Sequence, residues 1–303
     1  MNLLITGASG FVGSHLARAA HQRGDRVRCL VRPSSDLALL DDTAVQTVVG
    51  DLTDKDSLRQ AVTDLDAVVH CAAVTSEAAS DPSAGHRTNV LGTKNLVELC
   101  GDNDVRRFVF VSTLSAIPQN TGVYGRTKLE AERIVAASSL RFTVLRPSTV
   151  YGPGARGLSA KIERYVATLP LIPVIGDGRQ RFRPIYVGDV VSAILACLGS
   201  ENAVRKTYDL GGLDGISFAQ FIDGMGDVCG KRRPQIRLPV SICMGLARAF
   251  ALAAKNPPLT VDNILGITQM SECDISRAQE DFGFQPMSFR DGIGLMQRNN
   301  GKL

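Results

Sequence analysis

The segment from which the fold can be worked out is Leu3-Leu4-Ile5-Thr6-Gly7-Ala8-Ser9-Gly10-Phe11-Val12-Gly13, close to the start of a 303-residue chain. Its short apolar run predicts a strand, and the glycines that follow have the spacing G-x-x-G-x-x-G. Apolar residues then recur at helical spacing as far as Ala20, and Gly24 is well placed to end that helix. The glycines allow a tight turn, and the helix N-terminus offers N–H groups and a positive dipole end to a pyrophosphate. The segment therefore predicts a dinucleotide site that includes Gly7, Gly10 and Gly13.

Further apolar runs alternate with helical patterns along the first half of the chain. The predicted strands after the first are Arg26–Val31, Val45–Val49, Asp66–His70, Arg107–Val111 and Phe142–Leu145. Strands that alternate with helices in this way predict an α/β fold with a doubly wound parallel sheet.

The alternation breaks after residue 150, which suggests a second region. We predict a dinucleotide-binding domain over residues 1–150 and a smaller, mostly helical substrate-binding region over residues 151–303. Two later segments, Ile185–Asp189 and Tyr208–Gly212, are predicted to return to the sheet, so that the first domain is completed near residues 184–212.

The end of the second predicted strand bears on the choice of cofactor. An NAD site normally has Asp or Glu about 20 residues past the glycines, where it holds the ribose 2′-hydroxyl. This chain has Arg32 there, with Ser34 and Ser35 close by. A guanidinium and hydroxyls suit a 2′-phosphate, which an acid would repel. Arg32 and Ser35 therefore favour NADP over NAD; the alternative is that Arg32 stacks on the adenine or faces solvent.

The ends of the third and fourth predicted strands also carry candidate cofactor contacts. Asp51 is placed to accept from the adenine amino group, whereas the N-cap of the following helix better suits Thr53 or Asp54. Small residues after the fourth strand leave room for a cofactor to lie against the strand end. These residues are Cys71, Ala72 and Ala73, and we predict that His70 before them is a packed strand residue.

A tyrosine and a lysine four residues apart form the predicted catalytic pair. Tyr124 and Lys128 begin a helical pattern without Gly or Pro after position 125, and this spacing puts both on one helix face. A cation beside a phenol favours the phenolate, so we expect a lowered pKa for Tyr124 and a role in proton transfer. The hydroxyls of Ser112 and Thr113 follow the fifth strand, where they can polarise a substrate oxygen.

Composition excludes several other classes of protein. The net charge of +4 is mild and no Lys/Arg run has the length expected of a nucleic-acid-binding segment, which argues against nucleic acid. The seven cysteines lack Cys-x-x-Cys spacing and nearby His partners, so we predict reduced thiols and no metal site. No apolar run is long enough to span a membrane. The first predicted strand follows Met1 almost directly, so we expect no signal peptide. These observations predict a cytoplasmic protein.

The most apolar part of the C-terminal region runs from Leu238 to Ala254. Arg248 interrupts it, and Lys255-Asn256-Pro257-Pro258 ends it. We predict a helix that caps the substrate pocket, with a helix lying on a membrane surface as the alternative.

Taken in order, the motifs resemble those of the extended short-chain dehydrogenase/reductases, the NAD-dependent epimerase/dehydratase superfamily. They are the glycine turn, Asp51-Leu52, the hydroxyls at 112 and 113, Tyr124-x-x-x-Lys128, and Arg146-Pro147-Ser148-x-Val150-Tyr151-Gly152. The resemblance implies that Tyr124 is the acid/base, that Lys128 holds the nicotinamide ribose and lowers the phenol pKa, and that Thr113 orients the substrate oxygen. It also implies cofactor contacts from Phe11, Val12, Leu52, Ala72, Pro147, Ser148 and Val150.

Departures from the family pattern narrow the expected reaction. Leu114-Ser115 stand where dehydratases of this family carry an acidic pair, so dehydration is disfavoured. Phe182 stands where nucleotide-sugar epimerases often have arginine, although Arg181 and Arg183 flank it. The segment around 169–189 and the tail around 281–286 resemble the reductase-like accessory subunit of respiratory complex I and its bacterial relatives.

We therefore predict an NADP(H)-dependent oxidoreductase that interconverts a carbonyl and an alcohol on a small-molecule substrate. Two alternatives remain open: a nucleotide-sugar 4-epimerase with tightly bound NAD, and a non-catalytic NADPH-binding scaffold or assembly subunit. Members of the family often dimerise through helices like those at 85–100 and 124–138, so the resemblance implies a homodimer.

Overall fold

The computed structural model describes residues 1–41, 43–75, 83–119, 122–253, 259–268 and 273–300, apart from the side chains of 251–253, 262, 263, 299 and 300. The chain forms two compact units. The first unit consists of Met1–Pro147, Val190–Leu210 and Ile275–Phe284. The second unit consists of Ser148–Asp189, Gly211–Asp274 and Gln285–Leu303.

Strands and helices alternate along the first part of the chain. The strands are β1 (Asn2–Thr6), β2 (Arg26–Val31), β3 (Gln46–Val49), β4 (Ala67–His70), β5 (Arg107–Val111), β6 (Phe142–Pro147), β7 (Val150–Tyr151), β8 (Ile172–Ile175), β9 (Arg181–Phe182), β10 (Ile185–Tyr186), β11 (Lys206–Leu210), β12 (Ile216–Ser217) and β13 (Gln235–Leu238). The helices are α1 (Phe11–Gln22), α2 (Lys55–Leu58), α3 (Gly92–Asp102, preceded by a π-helical turn at His86–Leu91), α4 (Val123–Ala137), α5 (Gly157–Thr168), α6 (Val187–Gly199), α7 (Phe218–Val228), α8 (Val240–Ala253), α9 (Val261–Thr268), α10 (Ser276–Phe282) and α11 (Phe289–Asn300).

The first unit is built on a seven-stranded sheet in the order β11-β6-β5-β4-β1-β2-β3. Every neighbouring pair in this sheet is parallel. Both faces of the sheet are covered, so β4 and β5 are buried at every residue and are apolar except for His70 and Arg107. The predicted doubly wound parallel sheet is therefore confirmed, and β2 and β5 have the predicted bounds.

One of the two predicted returns to the sheet is wrong. β11 does join the large sheet, beside β6. Ile185 and Tyr186, however, pair with Val150 and Tyr151 in a separate two-stranded sheet of the second unit, and α6 begins at Val187. A short apolar run looks the same in either sheet, so the sequence could not indicate which partner strand it would take.

A C-terminal segment also belongs to the first unit, although the sequence assigned it to the substrate region. Ile275–Phe284 is held beside β11 by Asp281, whose carboxylate accepts from Lys206 Nζ at 2.9 Å and from the Tyr208 hydroxyl at 2.5 Å. These contacts join positions more than 70 residues apart, so no local sequence pattern could predict them.

The second unit has its own aromatic core, with helices and three small sheets around it. Tyr151, Phe182, Phe221 and Phe289 contact one another edge-on or tilted at its centre. Among the described residues, no helix of either unit is long and apolar enough to cross a membrane.

Candidate active site

The glycine turn after β1 is a backbone cradle packed so closely on neighbouring backbone that side chains would not fit. Gly7 has φ +72°, and a Cβ there would lie 2.6 Å from the Ala72 nitrogen. A Cβ on Gly13 would collide with the Gly7 carbonyl, and the Gly10 N–H closes the turn on that same carbonyl at 2.9 Å. α1 then starts at Phe11 without a side-chain cap. The N–H groups of its first turn are thus oriented to receive an anion.

Arg32 lies directly after β2 and is exposed. Its backbone N–H donates to Ser35 Oγ at 3.0 Å, and the Ser35 N–H returns to the Arg32 carbonyl at 2.9 Å. This turn holds the Ser35 hydroxyl against the backbone of Arg32. Among the described residues, none forms a hydrogen bond or ion pair with the Arg32 guanidinium, so this group is available to bind a phosphate.

Asp51 and Leu52 follow β3. Asp51 Oδ1 accepts from both the backbone and the hydroxyl of Thr53, at 2.8 and 2.7 Å, which orients the carboxylate. Asp54 is the N-cap of α2, in agreement with the sequence, so Asp51 is not needed as a cap. Leu52 is buried and packs against Gly92, and its carbonyl accepts from Asn95.

A buried hydrogen-bonded chain joins the ends of β1 and β4. The Thr93 hydroxyl donates to the Asn89 carbonyl at 2.6 Å, so it accepts from His70 Nε2 at 2.9 Å. His70 Nδ1 therefore accepts from the Thr6 hydroxyl at 2.6 Å. Burial, with a smaller contribution from Lys128, lowers the pKa of His70 to about 3. His70 is a neutral structural residue, as predicted.

The chain of hydrogen bonds also sets the strand end where the small residues lie. Cys71 donates its N–H to the Thr6 carbonyl at 3.1 Å, and Ala72 donates to the Thr6 hydroxyl at 3.3 Å. Cys71, Ala72 and Ala73 thus follow β4 beside the glycine turn. Burial raises the pKa of the Cys71 thiol to about 12, so the thiol stays protonated.

Lys128 is the most strongly constrained of the predicted catalytic residues. It lies on α4 with 1% of its surface exposed, and its Nζ donates to the carbonyl of Val111, the last residue of β5, at 2.7 Å. The same ammonium lies 3.9 Å from the centre of the Phe110 ring. Burial lowers the pKa of Lys128 to about 7, although the nearby Cys71 and Glu132 oppose the shift.

Tyr124 is half-buried one helical turn before Lys128. Desolvation raises the pKa of its phenol to about 12, so the expectation of a lowered pKa is wrong for the protein without cofactor. The reason is geometric: the lysine ammonium is bonded to the Val111 carbonyl and stacked on Phe110. Spacing on a helix puts two side chains on one face but does not decide which acceptor the cation chooses.

The two predicted hydroxyl residues follow β5 directly. Ser112 is buried, and its Oγ has no hydrogen-bond partner among the described residues. The Thr113 hydroxyl accepts from the Ser115 N–H at 3.2 Å and keeps its own hydrogen to donate. Both lie where Lys128 reaches the end of the same strand. The structure therefore brings Ser112, Thr113 and Lys128 together.

The last predicted cofactor residues lie around the end of β6. Pro147 ends that strand, and its carbonyl accepts from the Leu114 N–H at 3.2 Å. Ser148 and Val150 belong to the second unit.

Residues that support α4 were missed by the sequence analysis. The Asn89 side chain donates to Thr127 Oγ1 at 3.0 Å and pairs with both backbone groups of Val74, and Thr127 donates to the Tyr124 carbonyl at 2.9 Å. Farther along the same helix, Glu132 receives a two-pronged ion pair from Arg146. A buried Asn and a buried Glu are recognisable only once their partners are known, so no signal in the sequence identified them.

These features fit a bound dinucleotide. The glycine turn has no Cβ atoms to obstruct it, the first turn of α1 has no side-chain cap, and the buried Ser112 hydroxyl lacks a partner in the described part of the chain. Gly7, Gly10, Phe11, Val12 and Gly13 would hold the pyrophosphate, and Arg32 with Ser35 would lie toward the adenosine ribose. A bound nicotinamide would supply or accept hydride.

A family model described as the NAD-dependent epimerase/dehydratase family matches residues 3–211. The chain belongs to this family. Like other members of the extended short-chain dehydrogenase/reductases, it is an NAD(P)-dependent enzyme of the oxidoreductase and epimerase type.

Curated relatives align along almost the whole chain. Sterol demethylase protein B of Methylococcus capsulatus is 28% identical over 96% of this chain and 95% of its own length. The UDP-glucose 4-epimerase of Vibrio cholerae is 25% identical over 99% and 97%. The mitochondrial NADH dehydrogenase [ubiquinone] 1 alpha subcomplex subunit 9 of Arabidopsis thaliana is 27% identical over 88% and 68%, which agrees with the resemblance to the complex I subunit.

A solved structure confirms the fold. The UDP-glucose 4-epimerase of Thermotoga maritima, crystallised with UDP-glucose, superposes with a TM-score of 0.81 at 24% identity. The superposition covers 100% of this chain and 99% of the epimerase. At this identity the similarity shows that the two proteins share a fold, and nothing more.

Proposed function

We propose that this family member is an NADP(H)-dependent oxidoreductase that interconverts a carbonyl and an alcohol on a small-molecule substrate. The observation that carries the proposal is the placement of Lys128. α4 buries its ammonium at the carboxyl end of β5, where Ser112 and Thr113 also lie. That edge of a parallel sheet is where ligands bind in this architecture.

Tyr124 is the proposed acid/base. Its pKa of about 12 keeps the phenol protonated at neutral pH in the protein without cofactor, so it is ready to donate to a carbonyl oxygen that gains hydride. In the reverse direction the phenolate must form, and a neighbouring cation favours it. Lys128, with a pKa of about 7, is the group that supplies this charge when a ligand draws its ammonium away from the Val111 carbonyl.

Thr113 and Ser112 are the proposed donors to the substrate oxygen. The Thr113 hydroxyl is held by the Ser115 N–H and still has its own hydrogen. The Ser112 hydroxyl is buried and, among the described residues, unpartnered, which is costly unless a ligand satisfies it. Donors fixed in this way stabilise the charge that develops on the oxygen in the transition state.

The proposed preference for NADP rests on Arg32. Arg32 follows β2 with an exposed side chain, and its backbone is hydrogen-bonded to Ser35. Charge-assisted hydrogen bonds to a 2′-phosphate would stabilise NADPH over NADH, whereas a carboxylate at this position would favour the 2′-hydroxyl.

Replacing Arg32 tests this preference. Arg32→Glu is expected to weaken NADPH binding by about tenfold to a hundredfold, the range for losing a hydrogen bond to a charged group, and to change NADH binding little. Fluorescence titration with both nucleotides measures the two affinities. Arg26→Glu is the matched control, because Arg26 is exposed at the opposite end of β2 and should leave both affinities unchanged. Equal losses for the two nucleotides with Arg32→Glu would remove the assignment.

The relatives favour two substrate classes. One is named for sterol chemistry and another for UDP-glucose epimerisation. The position at which the epimerases often have arginine holds Phe182, which is 1% exposed in the core of the second unit. Because that side chain cannot contact a sugar diphosphate, we favour net oxidation or reduction.

Nucleotide-sugar 4-epimerisation is the second candidate, favoured by the alignment with the Vibrio cholerae enzyme over 99% of the chain. The two functions differ in what happens to the cofactor. An oxidoreductase consumes added NADPH with a ketone or 3-keto steroid, whereas an epimerase interconverts UDP-hexoses without net turnover of nucleotide and copurifies with NAD. Absorbance of NADPH and chromatography of UDP-hexoses, run on the same preparation, decide between them.

We also propose a cytoplasmic homodimer. Two apolar residues at the start of α4 and just before α3 are exposed, Val123 at 39% and Leu91 at 45%, on the helices that the family resemblance implicates. Burial of this surface against a second copy would stabilise a dimer.

A further inference from the structure

One exposed flank of α8 is apolar. Cys243 and Ala247, each 1% exposed, pack into the core of the second unit. About 100° around the helix from them, Ile242 is 52% exposed and Leu246 is 43% exposed. They are four residues apart, so they lie on one face of the helix. A surface helix normally presents polar residues to solvent, whereas this one exposes two large apolar side chains.

The segment leading into α8 and the strand it pairs with also expose large apolar residues. β13 pairs in parallel with β8 and connects to α8, and Leu171, Ile236 and Val240 in this substructure are exposed at 42%, 45% and 37%. With Ile242 and Leu246 they make five of the eleven large hydrophobic residues that are exposed in the described part of the chain. Such a concentration marks an interaction surface, whereas single exposed apolar residues need no explanation. We call these five residues the α8 patch.

The sequence around the α8 patch is basic. Residues 229–261 contain no Asp or Glu and six cations, so this segment carries +6. Since the whole chain carries +4, the rest of the chain carries −2. Arg237 and Arg248 are exposed, and neither guanidinium contacts a carboxylate in the described part of the chain. The six cations are Lys231, Arg232, Arg233, Arg237, Arg248 and Lys255.

We propose that the α8 patch and its cations bind the surface of an anionic phospholipid membrane. The apolar side chains would enter the boundary between headgroups and acyl chains, and the guanidinium groups would lie at the phosphates. α8 has 14 residues, about 21 Å at 1.5 Å per residue, which is too short to span a bilayer but suits a helix lying in its plane.

Charge argues for a membrane over a second copy of the chain. A symmetric contact through the α8 patch would bring two basic segments together, and the repulsion between cations such as Arg237 and Arg248 would oppose association. An anionic bilayer offers the opposite charge and an apolar interior to the same surface. The α8 patch belongs to the second unit and the proposed catalytic residues belong to the first, so the inference does not depend on the proposed reaction.

Cosedimentation with vesicles tests the proposal. We expect the full chain to bind vesicles of phosphatidylcholine mixed with phosphatidylglycerol, to bind phosphatidylcholine alone at least tenfold more weakly, and to lose binding as salt is raised. The double variant Ile242→Ser with Leu246→Ser is expected to lose about tenfold or more in partitioning, because both exposed side chains insert. Arg237→Glu with Arg248→Glu should lose at least as much, at about fivefold per unit of charge.

Matched controls separate the α8 patch from general effects. Val49→Ser removes an apolar side chain that is 62% exposed on β3, and Arg26→Glu reverses an exposed charge on β2. Both should bind vesicles as the unmodified protein does, and circular dichroism with thermal midpoints should show that every variant is folded.

Three outcomes would overturn the proposal. The first is that the unmodified protein fails to bind the anionic vesicles, and the second is that both α8 double variants bind them as well as the unmodified protein does. The third is that sedimentation equilibrium shows the Ile242/Leu246 double variant to be a monomer where the unmodified protein is a dimer, with no change in vesicle binding. The last result would make the α8 patch an interface between copies.

Discussion

Tyr124→Phe is expected to lower kcat by about 10²–10⁴-fold, the usual contribution of a positioned general acid or base, and to leave NADPH affinity nearly unchanged. The substitution removes only the hydroxyl. Because the phenol pKa lies near 12, the proton that it donates is present at every pH at which the enzyme would be assayed. Steady-state rates with a ketone or 3-keto steroid that supports oxidation of NADPH, together with nucleotide titration, measure both quantities.

Tyr165→Phe is the matched control for that experiment. Tyr165 is a half-buried tyrosine on α5 that packs at the edge of the core of the second unit. Removing its hydroxyl should leave kcat within about twofold, as expected for a surface change away from a special contact. Unchanged rates with Tyr124→Phe would end the claim that this phenol transfers the proton.

Lys128→Met is expected to make the protein without nucleotide more stable below pH 7 and to abolish turnover. Burial holds the pKa of Lys128 near 7 in the folded protein, against 10.5 for the free side chain. Between these two values the unfolded chain binds more protons, so stability rises with pH by up to about 1.4 kcal/mol per pH unit. The penalty from Lys128 is therefore full below pH 7 and disappears above pH 10.5.

The difference in free energy of unfolding between Lys128→Met and the unmodified protein should fall as pH rises through this window. Denaturant unfolding at a series of pH values measures it, and subtraction cancels groups common to both proteins. Two neighbours of Lys128 do not titrate in the window, since the pKa of His70 is about 3 and that of Cys71 is about 12. A pH-independent difference would mean that the ammonium is not buried as the structure shows.

Much of the candidate site could be predicted because the fold is encoded locally. The turn after β1 needs positions without Cβ atoms, and three glycines directly after an apolar strand predict such a turn. Parallel strands bring their carboxyl ends to one edge, so Asp51, Cys71 and Ser112 could be assigned to that edge from strand positions alone. The helical spacing of Tyr124 and Lys128 likewise placed them on one face of α4.

The contacts that orient these residues could not be predicted. Asn89 reaches Val74 and Thr127 across 15 and 38 residues, and Arg146 pairs with Glu132 across neighbouring elements. Polar residues of this kind have no period and no spacing rule, because their partners are set by packing. For the same reason Ile185 and Tyr186 were assigned to the wrong sheet.

The sequence by itself determined the order of strands and helices, the glycine cradle and the set of side chains at the sheet edge, since each depends on residues near one another in the chain. Only the tertiary structure decided the charge states of Tyr124 and Lys128, the proposed catalytic pair. The Lys128 ammonium is buried against the Val111 carbonyl and Phe110, which lowers the lysine pKa, while desolvation raises that of Tyr124. Desolvation depends on everything packed around a group, so it has no signature in the residues beside it.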